Sequence, residues 1–135
     1  MQIRNSAKAI IIRGDKVLLT KNVDEEGDFY LFPGGGQEHS ETLQQALMRE
    51  CFEEAGYQVE VGELLYIREY IGKNHERSTY HRDFHQVEFY FACTVVNEMD
   101  RNLPTNPDSH QVGIEWVKIE DILQYRCYPK ELGRH

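Results

Sequence analysis

Glu50, Glu53 and Glu54 stand at i, i+3 and i+4 of one segment, a spacing that makes side chains neighbours on a helix surface. Three carboxylates held that close repel one another, so something cationic belongs among them. Ligands that are all oxygen suit hard divalent ions such as Mg2+ or Mn2+. The pattern predicts a metal-dependent enzyme.

The elements that must position these acids can be read from the flanking sequence. Residues 41–55 carry a helical pattern that Ser40 is placed to cap and Gly56 to end in the left-handed conformation. Leu43, Ala46 and Leu47 begin a stripe whose next positions are Glu50, Glu53 and Glu54. Met48, Cys51, Phe52 and Ala55 read as a second apolar stripe on the opposite side. Such a helix packs on a core and lines a cleft with its C-terminal half. Carboxylates there oppose the helix dipole and cost stability, which favours a functional explanation over a merely solvated face.

Upstream, residues 7–13 and 16–20 read as a hairpin around Gly14-Asp15. Tyr30-Leu31-Phe32 then runs into Pro33-Gly34-Gly35-Gly36, an irregular segment expected to bring backbone close to another group. Further strands are expected at 57–61, 63–71, 84–96 and 112–118, with a short helix at 119–124. The 84–96 run is apolar on both faces, as a central strand should be. The expected architecture is an α/β/α sandwich around a mixed sheet, in one domain spanning 1–135.

The chain has 135 residues, 40% hydrophobic and 28% charged, with a net charge of −8. That balance fits a globular domain and argues against broad nucleic-acid binding, which needs a basic footprint. It leaves room for a phosphate-bearing small molecule, because bound cations reverse the local field. Cys51, Cys93 and Cys127 are scattered, with no CxxC pair, and are expected to be reduced and buried. No apolar run suggests a membrane span or a signal-peptide core, and the expected location is cytoplasmic.

Taken together, Gly35, Glu41, Arg49, Glu50, Cys51, Glu53, Glu54, Gly56 and Tyr57 resemble the Nudix hydrolase signature G-x5-E-x7-R-E-U-x-E-E-x-G-U, in which U is a bulky apolar residue. The N-terminal hairpin, the Pro-Gly-Gly entry and Glu115-Trp116-Val117 extend the likeness. The resemblance implies Mg2+- or Mn2+-dependent hydrolysis of a nucleoside diphosphate linked to another moiety, with a small nucleotide or nucleotide sugar as substrate. It assigns Glu53 and Glu54 as principal metal ligands and Glu50 as a further ligand or base. Arg49 would orient Glu50, Glu41 would support the site from the same helix, and the Gly34 carbonyl would add an oxygen. Glu38 is a further candidate for a supporting role.

Several positions stay open. Many relatives place another acid shortly before the tryptophan strand, where this chain has His110 nearest the expected place. Glu69, on the Leu65, Ile67, Ile71 face, and Glu88, in the long central strand, are alternative acids or bases. Each could equally pair with an arginine such as Arg68. In the polar segment 72–83, Lys73, Arg77 and Arg82 are candidate phosphate contacts, with His75 and His81 nearby, beside the reading of that segment as a solvated loop. The rival function is a catalytically inactive nucleotide-sensing module, which a degraded glutamate cluster would mark. The 5′ end of RNA is weighed against by the acidic balance, and the oligomeric state is not readable.

Overall fold

The computed structural model describes residues 2–71, 85–98 and 111–129. Among them, strands β1 (Arg4–Arg13), β2 (Lys16–Asp24), β3 (Gly27–Leu31) and β4 (Gly34–Gly36) precede helix α1 (Leu43–Ala55). Strands β5 (Tyr57–Ile71), β6 (His85–Glu98) and β7 (Gln111–Lys118), a 3-10 segment (Ile119–Gln124) and β8 (Cys127–Tyr128) follow. The sheet runs β5-β6-β1-β2-β3-β8, with β4 added to β1 and β7 added to β2. It is mixed, because β1 runs parallel to β6 and antiparallel to β2 and β4.

Strand periodicity divides the core in two. Ala7, Ala9 and Ile11 of β1 join Leu18, Phe91, Cys93 and Val59 beneath Leu47, Cys51 and Ala55 of α1. Val17, Leu19, Tyr90 and Val117 point to the opposite face and meet Ile122 of the 3-10 segment. One helix thus covers one face and a short 3-10 turn covers the other, which is the expected layered sandwich with a thin second layer. β6 contributes Phe91 to one cluster and Tyr90 to the other, as a central strand must. The three cysteines are free and buried. No helix among the described residues is long and apolar enough to cross a membrane.

Three sequence expectations change. The glycines after Pro33 form regular structure: Gly34–Gly36 pairs with Ser6, Ala7 and Lys8 of β1, because backbone without side chains can lie against that crowded strand. The strands expected at 57–61 and 63–71 are one strand, interrupted by register shifts between Val61 and Leu64 and between Leu64 and Tyr66 rather than by a turn. The helix has one buried face, not two. Cys51 and Ala55 share the core side with Leu47, whereas Met48 and Phe52 are exposed.

The start of α1 also moves. Ser40 adopts φ 72° and does not cap; Thr42 does. Its side chain accepts from the Gln45 N–H at 3.0 Å, and the Gln45 side chain accepts from the Thr42 N–H at 2.9 Å. This reciprocal capping box satisfies two of the orphan donors of the first turn. Gly56 ends the helix as expected, at φ 72° with its N–H on the Phe52 carbonyl. Thr42→Ala is expected to cost about 1 kcal/mol in a denaturant titration, and Ser40→Gly to cost nothing. The reverse order of effects would return the cap to Ser40.

Candidate active site

Arg49 is the centre of the acidic cluster. Its guanidinium donates twice to Glu41, from Nε at 2.7 Å and from Nη2 at 3.0 Å. Nη2 also donates to the Gly36 carbonyl at 3.1 Å, and Nη1 donates to Glu50 at 3.1 Å and to Glu53 at 3.4 Å. Glu38 lies 3.9 Å away with a largely exposed side chain. For Glu50 and Glu53, the cation demanded by the three-carboxylate spacing is therefore supplied, in this arrangement, by the chain itself. The Glu41 hydrogen bonds, more than any other contact, raise the Arg49 pKa further above its ordinary value. In return, hydrogen bonding to Arg49 holds Glu41 below the usual carboxylate range.

Glu41 does this from outside the helix, two residues before Leu43, not from an upstream turn of α1. The chain between β4 and α1 folds back to present it. The Glu38 N–H donates to the Glu41 carboxylate at 3.0 Å, the Glu41 N–H donates to the Glu38 carbonyl at 3.1 Å, and the Gln37 amide donates to the Glu41 carbonyl at 2.6 Å. Ser40 takes its left-handed conformation inside this turn.

Glu54 behaves differently from its two neighbours. It is buried on the core side of α1, and one carboxylate oxygen accepts from the Gly34 N–H at 3.0 Å. Gly34 has φ 133°, a conformation closed to most side chains. A Cβ on Gly35 would stand 2.7 Å from the Glu50 carboxylate, so the glycine is what admits that group beneath the helix. Two glycines and one arginine thus fix three glutamates.

Among the described residues, no three side chains of His, Cys, Asp or Glu already converge as an ion cage. The donor set nevertheless suits a hard divalent ion: three carboxylates within one helical turn, beside the β4 backbone. Glu50 and Glu53 hold Arg49 by its longer bonds, while Glu41 and the Gly36 carbonyl would still anchor the guanidinium if those two carboxylates turned to a metal.

The other candidates lie elsewhere. Glu69 is exposed and paired with His85 at 2.5 Å. The face it shares with Leu65 and Ile67 is open to solvent, so the expected cost of burying it does not arise. Glu88 is buried as suspected but on the sheet face opposite α1. It accepts from the Tyr90 hydroxyl at 2.8 Å, from Gln86 at 2.7 Å and from Arg68 at 3.4 Å. Tyr30, Phe32, Tyr66, Tyr90 and Tyr125 occupy that side, including the edge-to-face pairs Phe32–Tyr90 and Tyr66–Tyr90. His110, Lys73, His75, Arg77, His81 and Arg82 lie outside the described residues. Sequence reasoning missed Gln111, whose amide donates to the backbone carbonyl of Glu54 at 3.1 Å; a lone glutamine at the start of a strand carries no motif.

Arg49–Glu41 pairing gives a signed pH effect. A depressed carboxylate stabilises the fold fully above its unfolded pKa of about 4.3, and this contribution is lost as pH falls through the lower folded value. Glu41→Gln is expected to be less stable than wild type at neutral pH and to lose stability less steeply below about pH 4.3. Denaturant midpoints across that range check it, and an unchanged acid slope would show that Glu41 is not held by Arg49.

The family model described as the NUDIX domain matches residues 3–133. The chain is 34% identical over 114 residues to diphosphoinositol polyphosphate phosphohydrolase 3-alpha of Mus musculus, covering 83% of this chain and 60% of that protein. It is 27% identical over 128 residues to the nucleoside triphosphatase NudI of Escherichia coli, covering 93% and 89%. The chain therefore spans less than two thirds of the mouse relative's length, and it spans 29% of a further curated relative. A solved structure of a NUDIX hydrolase from Nitrosomonas europaea superposes with a TM-score of 0.76 at 23% identity, over 93% of this chain and 78% of that one.

Proposed function

This chain belongs to the NUDIX domain family, and from that premise we propose that it is a Mg2+- or Mn2+-dependent hydrolase of a nucleoside diphosphate linked to another moiety. The observation that carries the reading is the complete set of Glu50, Glu53 and Glu54, organised by Arg49 and seated against Gly34 and Gly35. A sensing module that had abandoned chemistry would have no need to keep all three acids against the helix dipole. The names of two relatives, a nucleoside triphosphatase and a diphosphoinositol polyphosphate phosphohydrolase, support an anhydride between phosphates as the bond cleaved. The first of these covers nearly its whole length and favours a small nucleotide.

In this reading Glu53 and Glu54 hold the ion, Glu50 adds a ligand or takes a proton from water, and the Gly34 carbonyl supplies a further oxygen. When bound, a divalent ion would neutralise charge on the diphosphate and make a coordinated water more acidic. The protein's own work is positioning, which dominates in phosphoryl transfer. The Gly34 N–H turns the Glu54 carboxylate inward and holds it against β4. Arg49 keeps Glu50 and Glu53 from moving apart before an ion arrives. With Glu50 and Glu53 turned to an ion, the Glu41 and Gly36 bonds would still hold Arg49 in place as a fixed positive charge.

The test is phosphate release from a panel of nucleotides, nucleotide sugars, dinucleoside polyphosphates and 5′-triphosphate RNA, each with and without Mg2+ or Mn2+. Metal-dependent turnover of one class is expected. Glu53→Gln should lower that turnover at least ~100-fold with the fold retained, the scale on which lost electrostatic groups are felt. Nucleotide binding without turnover of any member would transfer the reading to a sensing module.

A further inference from the structure

The far end of α1 is held by a residue that no part of the signature contains. β7 pairs with β2 in regular register from Lys118 to Gly113, then shifts between Lys21 and Asn22, so that Asn22 faces Gln111 instead of Val112. A bulge of this kind re-aims a side chain. In the regular part of the ladder, Trp116 opposite Leu18 and Ile114 opposite Thr20 point toward α1, and odd-numbered residues such as Val117 point away. The shift gives Gln111 the α1-facing place and leaves Val112 63% exposed.

Gln111 is buried there, beside buried Asn22 and Thr20. Its amide nitrogen donates to the Glu54 carbonyl at 3.1 Å and to the Gly113 carbonyl at 3.2 Å. Glu54 is among the last four residues of α1, whose carbonyls have no helical N–H to accept from. The last turn of α1 has no basic residue either, so the amide also supplies the partial positive charge favoured at that end. Both donors are committed, and the side-chain oxygen of Gln111 is buried with no hydrogen-bond partner among the described residues. A buried acceptor left unmet is a cost that native structures rarely carry without reason. The orientation is nonetheless fixed, since turning the amide over would set its oxygen against two carbonyls. Asn22 is held in the same way, donating to the Thr20 carbonyl and hydroxyl at 3.2 and 3.1 Å.

We propose that Gln111 is a positioning residue for the ion-binding turn: it fixes the backbone of Glu54, and through it the placing of Glu53 and Glu54, at a point separate from the Gly34 contact. This rests on the metal-dependent reading above. Glu54 is then clamped at both ends, its carboxylate by the Gly34 N–H and its carbonyl by Gln111. Arg49 governs where Glu50 and Glu53 point; Gln111 governs where the turn that carries Glu53 and Glu54 sits.

The test is Gln111→Met, which keeps the length and removes the donor, with Ile122→Ala on the opposite face of the sheet as a control for lost stability alone. Mn2+ binding to the free protein is followed by the electron paramagnetic resonance of unbound Mn2+, alongside thermal melts and steady-state kinetics. Gln111→Met is expected to weaken Mn2+ binding and lower kcat by roughly 10-fold each, the scale for residues that orient metal ligands, with KM for the nucleotide changed less than about 2-fold. Ile122→Ala should melt lower and bind Mn2+ as wild type does. Wild-type Mn2+ affinity in Gln111→Met, or a loss no larger than that of Ile122→Ala, would overturn the proposal while leaving the hydrolase reading intact. A wild-type protein that binds no Mn2+ would overturn both. Should Gln111→Met fail to fold, Gln111→Asn, which withdraws the donor by one methylene, takes its place in the same comparison.

Discussion

Mutual repulsion among carboxylates is the constraint around which this molecule is arranged. Five acids, Glu38, Glu41, Glu50, Glu53 and Glu54, gather around one end of β4 and one side of α1. Four of them come within 4 Å of a single guanidinium. Arginine suits this role better than lysine would, because a planar fork with several donors can serve three carboxylates and a carbonyl at once. The pairing is unequal, shortest to Glu41 and longest among its hydrogen bonds to Glu53. That inequality matters, since it leaves an anchored arginine and two carboxylates that can be recruited by a stronger cation.

Everything near the cluster is shaped to admit it. β4 has no side chains, so it can lie between β1 and the acidic side of α1. The turn from Gln37 to Thr42 closes on itself through Glu38 and Glu41 before the capping box starts the helix. The buried face of α1 uses small residues, Ala46, Cys51 and Ala55, beside Leu47. Small side chains let the helix sit low on β1, whose own contribution is Ala7 and Ala9. A bulkier face would lift Glu54 away from the Gly34 N–H.

The other side of the sheet is built from a different chemistry. Tyr66, Tyr90 and Phe32 pack edge to face, and the acid among them, Glu88, is neutralised by Arg68 and satisfied by Tyr90 and Gln86. Burial and the neighbouring Glu88 carboxylate push the Tyr90 hydroxyl well above its ordinary pKa, so it stays a donor. A buried acid with this many partners organises its surroundings. Glu88 therefore belongs to a different part of the molecule from Glu50, although both are glutamates in conspicuous sequence positions.

Much of this was legible in the residues alone. The i, i+3, i+4 spacing identified the acidic turn, period-2 alternation identified the long strands, and Gly56 marked the end of the helix. These are local features, fixed by helix and strand geometry wherever they occur. What the sequence did not decide was each side chain's partner. Ser40 and Thr42 are both good capping residues, and only the closure of the Glu38–Glu41 turn excludes the first. Cys51 and Ala55 fit either of two helical stripes until β1 chooses one. Gln111 looks like part of a polar loop, and a single register shift opposite Asn22 turns it under the helix. Periodicity tells how a segment repeats; which neighbour it repeats against is a long-range property, set when the sheet pairs and the helix docks on it.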